Sequence, residues 1–302
     1  MSRPRTPLAE ALRRRTLVLD GGLAHQLEAQ GCDLDDPLWS ARLLLDAPQQ
    51  LQAAHEAYLR AGAQVLITGS YQASREGFAR RGVPAAEADA LLARSVTLAR
   101  RAAATVPEDV WVAASVGPYG AVLADGSEYR GRYGLSVSRL ARFHRPRIEA
   151  LAAAEPDVLA LETVPDAEEA AALLTAAEGC GVPVWLSYTV ADGRTRAGQP
   201  LAEAFSVAAG HDQVVAVGVN CCTPRDAEEA IACAHATTGK PVVVYPNSGE
   251  RWDARERAWR GGVRFDARRA AGWRAAGARL VGGCCRVGPE RIRALSAALA
   301  AG

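Results

Sequence analysis

The 302-residue chain is nearly empty of lysine: Lys240 is the single lysine among 35 basic residues, and the rest are arginine. Schiff-base chemistry would have to rest on Lys240, which stands in "TTGKP" just ahead of an expected strand, a poor place for a nucleophile. Histidine is scarce as well. His25, His55, His144, His211 and His235 are scattered, with no His-x-His and no His-Glu-x-x-His, which argues against a histidine-based metal hydrolase. No stretch approaches the roughly 18 apolar residues of a membrane span. The opening "MSRPRTPLAEALRRR" has arginines but no apolar core of a secretory signal. A formal net charge of +1 offers no grip on nucleic acid or anionic lipid. These absences predict a soluble, cytoplasmic protein that binds neither nucleic acid nor membrane and keeps its thiols reduced.

What is present is apolar residue in quantity, 49% of the chain, at a mean hydropathy of −0.05, enough for a sizeable core. Eight short runs rich in valine and leucine recur, at residues 16–22, 64–71, 110–120, 158–164, 184–190, 214–222, 242–249 and 279–285. Between them lie alanine-, arginine- and glutamate-rich segments of helical period, including 84–105, 136–154, 166–178, 224–237 and 288–300. Near-continuous apolar strands alternating with amphipathic helices describe a parallel sheet covered by helices. Eight such units predict a single (β/α)8 TIM barrel, one domain over residues 1–302. "AGAQ" (61–64), "AEPD" (154–157), "CGVP" (180–183) and "AGAR" (276–279) each end a helix and lead into a strand, with a C-cap glycine in three. A doubly wound sheet would want Gly-x-Gly-x-x-Gly after the first strand, and "DGGLAH" does not supply it.

In a barrel the active site gathers at the C-terminal strand ends. Those ends read Asp20, Gly21 and Gly22; Ser70 and Tyr71; Glu162 and Thr163; Asn220, Cys221 and Cys222; Asn247 and Ser248; Cys284 and Cys285. Polar strand ends are common, but four of the seven cysteines fall at two of them, the sixth and the eighth. Adjacent thiols in "GGCC" have three uses: a redox pair, buried filler or metal ligands. Three thiolates with an open fourth position suit a catalytic zinc. Neighbouring cysteines on a strand point to opposite faces, so both reach one ion only where the backbone turns, and the glycines of "GGCC" permit that. Cys32, Cys180 and Cys233 lie away from this end, as small buried residues.

"LDGGLAHQLEAQGCDLDDPLWSA", "SVGPYGAVLADGSEYRG", "GVNC", "VVYPNSGE" and "ARLVGGCCR" resemble the homocysteine S-methyltransferase family, most closely its bacterial members that use S-methylmethionine. The resemblance spans nearly the whole chain. It implies a zinc ion held by Cys221, Cys284 and Cys285, and it is the resemblance, not the spacing, that selects Cys221 over Cys222. It further implies transfer of a methyl group from a sulfonium or ammonium donor to the sulfur of homocysteine, giving methionine. The nucleophile is then the zinc-bound substrate thiolate, with no catalytic side chain. An in-line displacement moves no proton at carbon, which suits strand ends without histidine. The resemblance implies that Glu162 receives the ammonium of homocysteine, with Thr163 and Asn220 beside it. Asp20, Gly21, Ser70 and Ser248 are expected around the rest of the substrate. The cationic donor needs aromatic faces, for which Tyr71, Tyr119, Tyr129 and Trp39 are candidates. S-methylmethionine ranks first as donor, S-adenosylmethionine second and betaine third. Betaine-using relatives carry a tyrosine directly after the strand-four glutamate; here that position is Thr163. A redox sensor built on Cys284 and Cys285, and a zinc hydrolase on the same barrel, are the alternatives. The oligomeric state stays open.

Overall fold

The computed structural model describes residues 4–253 and 258–301. Eight parallel strands form its centre: β1 (Leu17–Val18), β2 (Val65–Ile67), β3 (Trp111–Val116), β4 (Val158–Val164), β5 (Val184–Tyr188), β6 (Val214–Asn220), β7 (Val242–Tyr245) and β8 (Ala278–Val281). Each pairs with the next, from Val65↔Trp111 round to Ala278↔Val242. Leu17↔Leu280 joins the last strand to the first, and a Leu19↔Val65 bridge joins the first to the second. The ring is closed. This is the expected (β/α)8 barrel.

Strand alternation sorts the side chains into two layers. Along β3, Trp111 and Ala113 face the barrel interior, with Leu17, Val65, Val158, Ala160, Trp185, Ala216, Val243 and Leu280. Val112, Ala114 and Val116 face outward into the much larger layer between sheet and helices. The floor is closed by the helix Leu8–Arg14, whose Leu8, Ala11 and Leu12 join the interior cluster. Trp111 Nε1–H donates to the Thr6 carbonyl at 2.9 Å beneath it.

The helices expected from periodicity lie at Ala85–Ala103, Val137–Ala153, Ala167–Ala177, Pro224–Thr238 and Pro289–Ala300. Gly62, Gly181 and Gly277 take the left-handed backbone of the helix ends ahead of β2, β5 and β8, and Glu155 does so without being glycine. The strands are shorter than the apolar runs. β6 ends at Asn220, β7 at Tyr245 and β8 at Val281, so Cys221, Cys222, Cys284 and Cys285 sit in turns beyond the sheet rather than on strand ends.

Candidate metal centre

Following β3 to β7 upward, the inward positions change from apolar to polar. Ser115, Glu162, Ser187, Asn220 and Tyr245 form this upper layer, and all are buried. Glu162 accepts hydrogen bonds from Ser115 Oγ on one oxygen and from Tyr245 Oη (2.9 Å) on the other. Tyr245 Oη also meets Ser187 Oγ at 2.9 Å and receives Trp185 Nε1–H at 3.3 Å. Burial, opposed by the Ser115 and Tyr245 hydrogen bonds, pushes Glu162 up to about 7. The carboxylate is thus oriented and inward-facing, and no cation among the described residues pairs with it.

Above this layer the backbone leaves the strand pattern twice. Thr163 and Cys221 both adopt positive φ, 58° and 52°, a conformation that costs an L-residue roughly 1–2 kcal/mol. Asn220 braces Thr163: its Oδ1 accepts the Thr163 N–H at 2.7 Å and its Nδ2 donates to Thr163 Oγ1 at 2.7 Å. The turn at Cys221 reverses the alternation. A continued strand would send Cys222 inward with Asn220; instead Cys222 packs in the outer apolar layer, where burial pushes its thiol up, and Cys221 faces the mouth.

The Sγ atoms of Cys221, Cys284 and Cys285 all lie within 4.8 Å of one another, with Cys221 and Cys285 at 3.7 Å. Hydrogen bonds from Cys284 and Cys285 hold Cys221 well below the usual thiol range, and the same contacts push its two partners up. The stretch after β7 ties the two cysteine turns together. The Pro246 carbonyl accepts Cys284 N–H at 2.8 Å and Asn247 Oδ1 accepts Cys285 N–H at 3.1 Å. Asn247 N–H donates to Cys222 at 2.9 Å and Ser248 N–H to the Cys285 carbonyl at 3.0 Å.

The remaining expected residues divide. Asp20 is buried, with Oδ2 accepting Ile67 N–H at 2.8 Å and Oδ1 without a partner; desolvation raises it well above the carboxylate range. A side chain at Gly21 would strike the Val287 carbonyl and the Tyr58 ring, so glycine there serves close packing. Ser70 Oγ donates to the Ser115 carbonyl at 2.8 Å, and Ser248 Oγ bonds to Glu250; both hydroxyls are committed to protein partners. Lys240 Nζ donates to the His211 carbonyl at 3.0 Å, a structural bond.

Of the four aromatics, Tyr129 reaches the cluster: its Oη lies 3.1 Å from Cys221 Sγ. A tyrosine oxygen therefore does approach the thiols, from the β3 loop rather than from the position after Glu162. Tyr71 is half-buried beside Thr163, with Trp39 edge-on at 6.5 Å. Tyr119 packs instead against Tyr133 and Phe143. Sequence reasoning did not single out Ser115, Ser187 or Tyr245, although counting by twos up each strand would have reached them.

Three thiols converging at the C-terminal mouth of a (β/α)8 barrel, over an oriented buried carboxylate, define a barrel protein fitted to hold a thiophilic metal ion. The homocysteine S-methyltransferase family model matches residues 17–299, and the chain belongs to that family. It is 47% identical to the homocysteine S-methyltransferase of Escherichia coli strain K12 over 93% of this chain and 94% of that one. It is 42% identical to the homocysteine S-methyltransferase YbgG of Bacillus subtilis, over 93% of each. The crystal structure of the homocysteine methyltransferase MmuM from E. coli in its metallated form superposes with a TM-score of 0.86 at 44% identity, covering 97% of this chain and 99% of that one.

Proposed function

We propose that this chain is a single barrel domain that transfers a methyl group from a sulfonium donor, S-methylmethionine first and S-adenosylmethionine second, to the sulfur of L-homocysteine. We further propose that Cys221, Cys284 and Cys285 hold a zinc ion. The observation that carries this is the trio of sulfurs within 4.8 Å at the mouth, a donor set suited to zinc. A zinc ion there supplies the acidity that makes an incoming thiol a thiolate at neutral pH.

The chain's own residues position and orient. Glu162, fixed by Ser115 and Tyr245, takes the ammonium of homocysteine, so that its thiol arm points up toward the cysteines. Asn220 holds Thr163 and the β4 exit in place beside it. The electron pair of the homocysteine sulfur forms the new bond to the methyl carbon. The old carbon–sulfur bond breaks toward the donor, leaving a neutral thioether and methionine. Rate comes from alignment, with sulfur and methyl carbon held ~3–3.5 Å apart. All seven cysteines are unpaired, which suits a reducing compartment such as the cytoplasm.

The test is metal analysis of freshly purified reduced protein together with a methyl-transfer assay offering S-methylmethionine, S-adenosylmethionine and betaine with homocysteine. One zinc per chain and methionine formed from a sulfonium donor is the expected outcome. A metal-free protein with a reversible two-electron oxidation at Cys284 and Cys285 would favour the redox alternative instead.

A further inference from the structure

The β3 loop places a second acidic group at the mouth. Its short turn Ser127–Tyr129 is entered through left-handed Gly126 (φ 81°) and followed by left-handed Gly131 (φ 65°), and it presents Glu128 and Tyr129 together. Tyr129 reaches Cys221, and Glu128 interacts electrostatically with both Cys221 and Tyr71. Oε2 of the Glu128 carboxyl is buried without a hydrogen-bond partner. No ion pair involving Glu128 occurs among the described residues. A buried carboxylate oxygen without a partner is costly, and this one stands beside the place where a cationic substrate must arrive.

Resting on the methyl-transfer reading above, we propose that Glu128 is a specificity-determining residue that binds the α-ammonium of an amino-acid sulfonium donor. The chemistry of the donors supports the choice. In S-methylmethionine two methylenes separate the sulfonium from the carbon bearing the ammonium, so a methyl group aimed at the cysteine cluster leaves the ammonium within a residue's reach. Betaine offers a carboxylate and no second cation, which Glu128 repels. Arg196, its guanidinium 5.7 Å from the Tyr129 ring centre, puts a positive charge beside the same tyrosine for the donor's own carboxylate.

A two-by-two cycle on zinc-loaded protein at saturating homocysteine tests this: wild type and Glu128→Gln, each with S-methylmethionine and with its des-amino analogue, 4-(dimethylsulfonio)butanoate. Glu128→Gln is expected to lose about 10- to 100-fold in kcat/KM for S-methylmethionine, mostly through KM, the size of one charged hydrogen bond. The analogue should lose little, zinc content and the KM for homocysteine should hold, and Glu128→Asp should recover part of the loss. Equal losses with both donors, or none with either, overturn the role of Glu128 alone. Should the variant not fold, wild type still decides: use of the analogue as efficiently as S-methylmethionine overturns the proposal, and a strong preference for S-methylmethionine supports it. A wild type that methylates homocysteine from no sulfonium donor overturns the reaction itself.

Discussion

Cys221 and Cys222 are neighbours of one residue type, and a single backbone angle separates their surroundings. The left-handed Cys221 faces the other two thiols, while Cys222 is buried among apolar side chains. Cys221→Ser should therefore lose bound metal and activity together. Cys222→Ala should keep the metal and cost about 1 kcal/mol of stability, read by metal analysis and urea unfolding. Spacing could not choose between them, because an ideal strand would have turned Cys222 inward; only the resemblance pointed to Cys221. Glu162 carries a second expectation. Below about 7 its carboxyl holds a proton and loses its attraction for an ammonium, so the KM for homocysteine should rise as pH falls through that value. Glu162→Gln should show a raised KM without this limb, while the limb from the substrate thiol persists in both. The folded carboxyl titrates near 7 against an ordinary 4.5, so the folded state binds the extra proton and this group withdraws stability as pH rises across that window.

At the level of elements, helices were more legible than strand ends. The period of 3.6 located five helices to within a residue or two, since each buries one face and announces it. The apolar runs overshot the strands, because a parallel strand ends where its neighbours stop pairing, which no single segment records. Beyond that limit sit the three clustered cysteines, in turns held by side chains and backbone. Asn220 is the clearest brace: it makes both bonds to the strained Thr163. Asn220→Ala leaves a buried N–H without an acceptor and should cost about 1–3 kcal/mol in urea unfolding, along with a raised KM for homocysteine. The β3 loop has its own anchor. Asp166 caps the helix Ala167–Ala177 through Glu169 N–H at 2.7 Å and holds Arg132 N–H at 3.0 Å. Asp166→Ala should cost about 0.5–2 kcal/mol and weaken whatever Tyr129 and Glu128 bind, measured as thermal midpoint and donor KM.

For the molecule as a whole, the closed ring was readable from its eight-fold recurrence, but its floor was not. Leu8, Ala11 and Leu12 make a stripe too short to distinguish from any surface helix. The structure gives it a role, since those side chains complete the interior beneath Trp111. Removing residues 1–15 should expose that interior, at about 3–6 kcal/mol for Leu8 and Leu12 together, with a red-shifted tryptophan emission. The stretch after β7 has a different kind of consequence. Because Pro246, Asn247 and Ser248 stitch the turns after β6 and β8 to one another, an ion held by the three thiols would be joined to one arc of the wall. Stripping the ion with a chelator should then soften the molecule lopsidedly: amide hydrogen exchange would quicken at 220–223, 245–249 and 282–287, while β2 to β4 stay as slow as before. A barrel that is rigid all round when loaded and limp along one seam when empty would admit its metal by that seam.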